Sequence, residues 1–405
     1  MNNTIGSNAR PDDAAPSGST LPIRFTASGS EYFRIWIVNL LLTLVTVGLY
    51  YPWAKVRKLR YFYGNTWVGH HAFDFHGNPR RMLRGTLLVG VLFIAYSAAG
   101  QFSPTAGLVA ILIIAGVWPA LFRASMRFRL ANTSWRGMRF HFNGDMAGAY
   151  KALLPTMVPA ALFIGLTLFM PGAPAEDAAP AASPASWLEA LLGVAMLATL
   201  ALVPLLVWGV KRYQHGHCAL GQVQTRLAAG PGPFYVVFAK AAGVSLLSVL
   251  GFCAAGFVAA MLLGLGGYFS GEGGKNPGMH AAMVIGMGVF ALAYVVLLIV
   301  NNTFLTSRLQ NLVWNRTTST EVRFESRLLL GPLVRLALQN GLLVLLTLGL
   351  YWPFAAVASA RLRLQAVTVH TRRPVDDLAA QAGLAGDNDA TGDAAGDLFG
   401  LDFGL

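Results

Sequence analysis

The chain has 405 residues, of which 55% are hydrophobic and only 12% charged, with a formal net charge of +12. About a quarter of a soluble domain is charged, so the composition excludes a water-soluble globular protein and points to an integral membrane protein. The two cysteines, Cys218 and Cys253, stand far apart in sequence, which excludes a disulfide framework and leaves the redox compartment open.

In chain order, residues 1–22 are polar and lack the apolar core of a cleavable signal peptide, so they are expected to be a disordered N-terminal segment. Ile23-Arg-Phe25 reads as a short strand ahead of an apolar segment at 33–53. Further apolar runs at 85–100, 105–122, 152–171, 187–209, 241–266 and 281–301 suit a bilayer core, which needs about 20 residues. A last apolar segment covers 333–355 and mirrors the first. Between 39–54 and 340–355, 10 of 16 positions are identical, including Asn39/Asn340, Gly48/Gly349 and Pro52/Pro353. The flanking Arg34/Arg335 and Arg60/Arg361 hold the same offset, so internal degenerate repeats are expected.

Charge placement sets the expected topology. Of the 30 Lys and Arg residues, 22 fall in four stretches, 54–84, 123–151, 210–240 and 302–335, whereas the alternate loops are nearly bare. Short basic loops stay cytoplasmic, so three helical hairpins (85–122, 152–209 and 241–301) leave and re-enter the cytoplasm. This bias accounts for the net charge and requires no nucleic acid. The segments 33–53 and 333–355 are long enough to cross, and only Gly48 and Gly349 interrupt them. A crossing would carry Arg361, Arg363, Arg372 and Arg373 to the outside, against the charge rule, whereas re-entrant elements keep both termini cytoplasmic.

The basic loops share a pattern. Pro52 to Asn65 and Pro119 to Asn132 are both 13 residues, and each leads to a Phe-x-Phe-x-Gly sequence, Phe73 to Gly77 and Phe140 to Gly144. Aromatic and polar residues alternate there around a central Gly, as in a β-hairpin. The fold expected is an all-α polytopic bundle of six spans and two duplicated terminal segments over a small cytoplasmic β-hairpin layer, in which hairpins, Ile23–Phe25 and 367–369 form a small sheet or barrel. The membrane domain covers 23–375, and an acidic tail, 376–405, has no Lys or Arg and is expected to be disordered. Its end, 398–405, is apolar enough to dock on a protein partner or on the chain itself.

At Phe25, 29–43, Gly48-Leu-Tyr-Tyr-Pro-Trp-Ala-Lys-Val-Arg57 and Leu59-Arg-Tyr-Phe-Tyr-Gly-Asn-Thr66 the chain resembles the YjgN-type bacterial inner-membrane proteins. The resemblance is tightest over 23–80 and 340–365. It implies a multi-pass protein of the inner membrane of Gram-negative bacteria, and it implies no activity, because the family's function is unknown.

The candidate site residues follow from charge and polarity. Arg57, Arg60, Arg123, Arg127 and Arg361 stand at helix ends, where they serve topology and anionic lipid or converge on a vestibule that holds an anionic headgroup or solute. Asn39 and Asn340 are the polar groups set in apolar segments, the usual mark of a transport path or of helix packing. His70, His71 and His76, and His215 and His217 beside Cys218, are weak candidates for zinc, without the spacing of a known motif. No P-loop, GxSxG or HExxH occurs, so no cofactor and no enzyme activity are expected. Two functions remain: transport or lipid handling where the repeats meet, with anionic membrane lipids as partners, or a non-catalytic scaffold that recruits a protein through its β layer and tail.

Overall fold

Helical hairpins rise from a β-sheet and return to it, so both ends of each hairpin lie against that sheet. The computed structural model of the chain describes residues 18–168, 186–221, 223–262 and 277–374. The first strand, β1 (Thr20–Phe25), begins three residues ahead of the expected Ile23 and leads into the short hairpin α1 (Gly29–Val45) and α2 (Tyr51–Gly64). Strands β2 (Thr66–Val68) and β3 (His71–Phe75) follow, then the long pair α3 (Pro79–Phe102) and α4 (Pro104–Ala131). After β4 (Thr133–Trp135) and β5 (Met138–Phe142), the chain runs through α5 (Met146–Leu153), a 3-10 turn and α6 (Val158–Leu168) to α7 (Ser186–Gly216). Three short strands, β6 (Cys218–Leu220), β7 (Val223–Gln224) and β8 (Arg226–Leu227), precede the pair α8 (Gly232–Leu262) and α9 (Pro277–Arg316). Strands β9 (Thr317–Thr318) and β10 (Val322–Ser326) lead to α10 (Leu330–Leu346), α11 (Trp352–Gln365) and β11 (Val367–Thr371).

Six helical segments among the described residues are long and apolar enough to cross a membrane: Pro79–Gln101, Thr105–Ala131, Met146–Gly165, Ala190–Gly216, Gly232–Met261 and Val284–Arg316. They match the six spans read from hydropathy. Their starts are set by local chemistry, with Asn78 and Ser103 accepting from the amides of Arg80 and Thr105 and Pro79 and Pro104 at the first helical turn. Leu87, Val91, Ile94, Leu247 and Phe257 lie exposed on the outer faces, a surface suited to lipid rather than water. Residues 169–171 and 263–266 of the expected spans, most of the N-terminal segment and the tail 376–405 lie outside the described residues.

The β layer is larger than expected, which corrects the reading of an all-α fold with a minor layer of hairpins. All the strands join one 11-stranded sheet in the order β7-β6-β5-β4-β3-β2-β1-β11-β10-β9-β8. Every pairing is antiparallel, for instance Phe75 opposite Thr133 and Phe142 opposite Cys218 between successive hairpins. A lone hairpin leaves two edges unpaired, and pairing hairpin to hairpin satisfies them. The two outermost strands, β7 and β8, flank Thr225, so the sheet curls nearly to closure. Its inner face is filled by Leu21, Ile23, Val68, Phe73, Trp135 and Phe140, among others, an apolar core rather than a water channel. The alternation seen in sequence is this division, with Arg24, Asp74 and Arg139 facing out.

One hydrogen bond recurs wherever a strand leaves the sheet. The amides of Thr26, His76, Asn143, Ala228 and Arg327 donate to the carbonyls of Asn65 (3.0 Å), Asn132 (2.7 Å), His217 (2.9 Å), Arg316 (2.7 Å) and Ala366 (2.9 Å), each at the end of a returning helix. Each strand exit is thus tied to the next helix-to-strand junction around the sheet, and the bundle and the sheet form one body.

The segments 33–53 and 333–355 turn back instead of crossing as single helices. After Thr46 the Gly48 amide reaches the Thr43 carbonyl (2.7 Å) and the Val47 amide that of Leu44 (3.1 Å), the paired bonds of a Schellman stop. Gly48 has φ +88° and Val47 φ +50°, and Gly349 and Leu348 repeat these angles at +94° and +50°. The Thr46 hydroxyl then accepts the Tyr50 amide (3.0 Å), as Thr347 accepts that of Tyr351 (3.0 Å), which starts the return helix. Strands β1 and β11 pair side by side, so the first and last described strands lie on the same side of the bundle.

Candidate functional site

A pocket beside the first hairpin is lined by several charged side chains. Asn39 on α1 is 7% exposed, and its Nδ2 donates to the Ala54 carbonyl of α2 (3.3 Å), which ties the two helices together. That bond fixes the amide orientation and leaves Oδ1 buried without a partner. Toward the sheet, the Tyr32 ring stacks on Tyr61 (5.7 Å between centroids) and meets Phe62 edge-on (4.9 Å). The Tyr61 hydroxyl donates to Ser28 O (2.9 Å) and lies 3.0 Å from Glu31 Oε2. On its other face, Val56 of α2 packs with Phe75, Met82 and Phe128, so α2 is held between α1 and α4.

The cavity left in this packing measures about 320 Å³. Among the described residues, its wall includes Tyr32, Trp36, Asn39, Lys55, Lys58 and Arg129. Lys55 is 7% exposed, while Lys58 reaches the surface. Lys55, Lys58 and Arg129 therefore line one small space beside Asn39. At the same offset of 301, α11 carries Ala356 and Ser359 where Lys55 and Lys58 stand. There Asn340 bonds to Ala355 O (3.4 Å) and to Ser359 Oγ (3.3 Å), so the two asparagines share the tie between helices and only the first hairpin carries the basic wall.

The expected arginines are not brought together. Arg60 donates to Gly77 O (3.4 Å), Arg123 to Gly144 O (2.7 Å) and Arg361 to Ala27 O, at three separate strand exits. Each caps a carbonyl two residues beyond a strand, and Trp208 does the same for Ala229 O (2.7 Å). Ser307 and Asn311 both donate to Leu328 O (2.9 Å). Arg57 is exposed and Arg127 half-buried. Of the residues expected at the site, only Asn39 lines the cavity. Lys55, Lys58 and Arg129 fall in the basic stretches 54–84 and 123–151, which carry the topology, and are not among the expected site residues. The signal available was spacing, since Tyr51, Lys55 and Lys58 share one face of a helix at intervals of four and three.

The histidines are dispersed. His70 and His71 are exposed, His76 Nε2 lies 2.7 Å from Ser134 Oγ, His215 meets Trp314 edge-on (5.7 Å), and His217 Nδ1 donates to Tyr213 O (2.9 Å). No group of three metal-ligating side chains forms among the described residues. Burial pushes the Cys218 thiol up to about 12, so it packs as a neutral group, its sulfur 3.2 Å from Gln214 O. Cys253 is exposed on α8.

Comparison with known proteins adds a family. A profile described as "Bacterial protein of unknown function (DUF898)" matches residues 20–398. "Inner membrane protein YjgN" of Salmonella typhimurium strain LT2 is 31% identical over 145 residues, covering 35% of this chain and 37% of that protein. The protein of the same name from Escherichia coli K12 is 28% identical over 152 residues, 36% of this chain and 37% of its own. The chain thus matches little more than a third of the length of these curated relatives. No solved structure matches it.

Proposed function

Since the chain belongs to the bacterial membrane family DUF898, whose function is unknown, the site's own chemistry must speak, and we propose that it holds an anionic lipid or solute at the basic pocket. The role is lipid handling or transport in the inner membrane, and binding rather than catalysis. One observation carries it: among the described residues, Lys55, Lys58 and Arg129 line one cavity together with Asn39. Lys55 and Asn39 are drawn from the first hairpin, whose apolar tip carries Leu44, Val45 and Val47 exposed. A ligand there touches the apolar phase at one end and cations at the other, the arrangement an amphiphilic anion requires.

The orientation belongs to the same reading. The sheet lies on the side of the basic loops, which the charge rule puts in the cytoplasm, so the pocket opens toward the cytoplasmic leaflet. The chain is also read as degenerate units of strand, helical hairpin and returning helix. The amide-to-carbonyl ties at five strand exits and the matched turns at Gly48 and Gly349 support that reading. The wall is particular to one unit, because α11 lacks the lysines.

Lipid analysis of the protein purified in mild detergent tests the proposal. Stoichiometric anionic lipid on the natural chain, reduced about 10-fold or more in a Lys58→Gln, Arg129→Gln double variant, is the expected result, each lost charge-assisted bond contributing about 1.5–3 kcal/mol. Equal retention by both proteins refutes it.

A further inference from the structure

We infer that the outward face of β8, β9, β10, β11 and β1 is a docking surface for the chain's own acidic segment, residues 376–405. The strand register builds this face. Arg226 stands opposite Thr318, Thr318 opposite Arg323, Arg323 opposite His370 and His370 opposite Thr20. Directly opposed residues of antiparallel strands point to one side of a sheet. Arg24 follows on the same side of β1, at the period of two from Thr20, with Trp67 of β2 opposite it. Arg24, Arg226 and Arg323 are exposed, and among the described residues no carboxylate pairs with them. The neighbouring carboxylates are engaged, Glu325 with Arg327 and with His370 (3.1 Å), and Glu321 with Arg373 (3.4 Å).

The occupant follows from where the chain goes. β11 enters the sheet from α11 at Val367, so Thr371 lies at the end of the sheet remote from the helices, next to His370 and its neighbour Arg323. The segment 376–405 lies outside the described residues and holds seven Asp and no Lys or Arg. Strands stand about 4.8 Å apart, so the five of this face span about 19 Å, which about six extended residues bridge. A tether of that reach gives the segment an effective concentration on the order of millimolar, which a free polyanion must exceed. Phe399 and Phe403 near its end suit Trp67, which is 36% exposed at the margin of the arginines. An anionic bilayer fits this face less well, because the helices that cross the membrane leave the sheet at the other end. Single surface ion pairs are weak and screened by salt, so the docking depends on several acting together.

Carbodiimide cross-linking of the full chain in phosphatidylcholine nanodiscs tests the inference. Arg323→Lys and, separately, Arg226→Lys keep the charge and add an amine that can be joined to a carboxylate. Peptide mass spectrometry should find each position linked, within one chain, to aspartates of 376–402 about 10-fold more often than exposed Lys151 on α5. The links should fall about 10-fold at about 0.5 M salt, where screening acts within about 4 Å. Links no more frequent than those of Lys151, or links only between two copies, overturn it. A second measurement reads the covering itself. A fluorescent single-stranded oligonucleotide should bind the full chain about 10-fold more tightly when the seven aspartates are changed to asparagine. Arg226→Gln together with Arg323→Gln should remove that gain. Equal binding to the natural and the neutralised chain leaves the face open to nucleic acid and overturns the inference. Cross-links lost when phosphatidylglycerol replaces phosphatidylcholine assign the face to the bilayer and overturn it as well.

Discussion

Replacing Thr46 with valine should destabilise the protein by about 1–3 kcal/mol, although the two side chains have nearly the same shape. The Thr46 hydroxyl donates to Leu42 O (2.7 Å) and accepts from the Tyr50 amide (3.0 Å). The Leu42 carbonyl loses little, because it also receives the Thr46 amide (3.0 Å). The Tyr50 amide is left at the first turn of α2 without that acceptor, in an apolar hairpin tip where water cannot replace it cheaply. Thr199 provides the control: its hydroxyl donates to Ala195 O (2.8 Å) and accepts no backbone amide, so Thr199→Val should change stability by about 0.5 kcal/mol or less. Reversible unfolding in mixed micelles, followed by circular dichroism, measures both. If Thr46→Val and Thr199→Val are indistinguishable, the hydroxyl does not start the return helix and the account of the turn fails.

Arg123→Gln removes the bond to Gly144 O and should cost about 1–3 kcal/mol of stability, whereas exposed Arg57→Gln should stay within about 0.5 kcal/mol; equal melting shifts would count against the strand-exit role. In a Cys253→Ser background, Cys218, pushed up to about 12 by burial, should resist maleimide at pH 8 in the folded protein and react on unfolding, and rapid stoichiometric labelling of the native state would contradict its packing. Because its folded value lies above the ordinary thiol value of 9.0, the neutral thiol's contribution is complete below pH 9 and is lost as pH rises toward 12, which alkaline unfolding of Cys218→Ala against the natural chain will show. Deleting 376–405 should leave bound anionic lipid unchanged if the pocket is the functional centre, and loss of a stoichiometric protein partner with unchanged lipid would move the function to the tail.

Asn39 and Asn340 show how far sequence reading reached. Their duplication among apolar neighbours was visible, and so was the choice between a transport path and helix packing. Both are ties between helices, and the difference between them arises from residues about one turn further along the partner helix, Lys58 against Ser359. The arginines were legible as a recurring set at helix ends, but Arg60, Arg123 and Arg361 each donate to a carbonyl just beyond a strand, and for Arg361 that partner, Ala27, lies across nearly the whole chain. No local pattern encodes such a partner. Arg129 was hidden for the same reason, since it joins the lysines of α2 only because Phe128 and Val56 lock α4 against that helix.

Membrane class, the six apolar spans, the basic side of the bundle and the short alternating strands were determined by the sequence alone, because they depend on composition and on the period of hydrophobicity along the chain. The turning back at Gly48 and Gly349 was half-determined, as an interruption whose outcome depended on Thr46 and Thr347 accepting the next amides. Only the tertiary structure decided that the hairpins join edge to edge into a nearly closed sheet, and that three cations meet beside Asn39. Strand pairing and pocket walls are made between elements, and their energy comes from groups that adjacency in the sequence does not bring together.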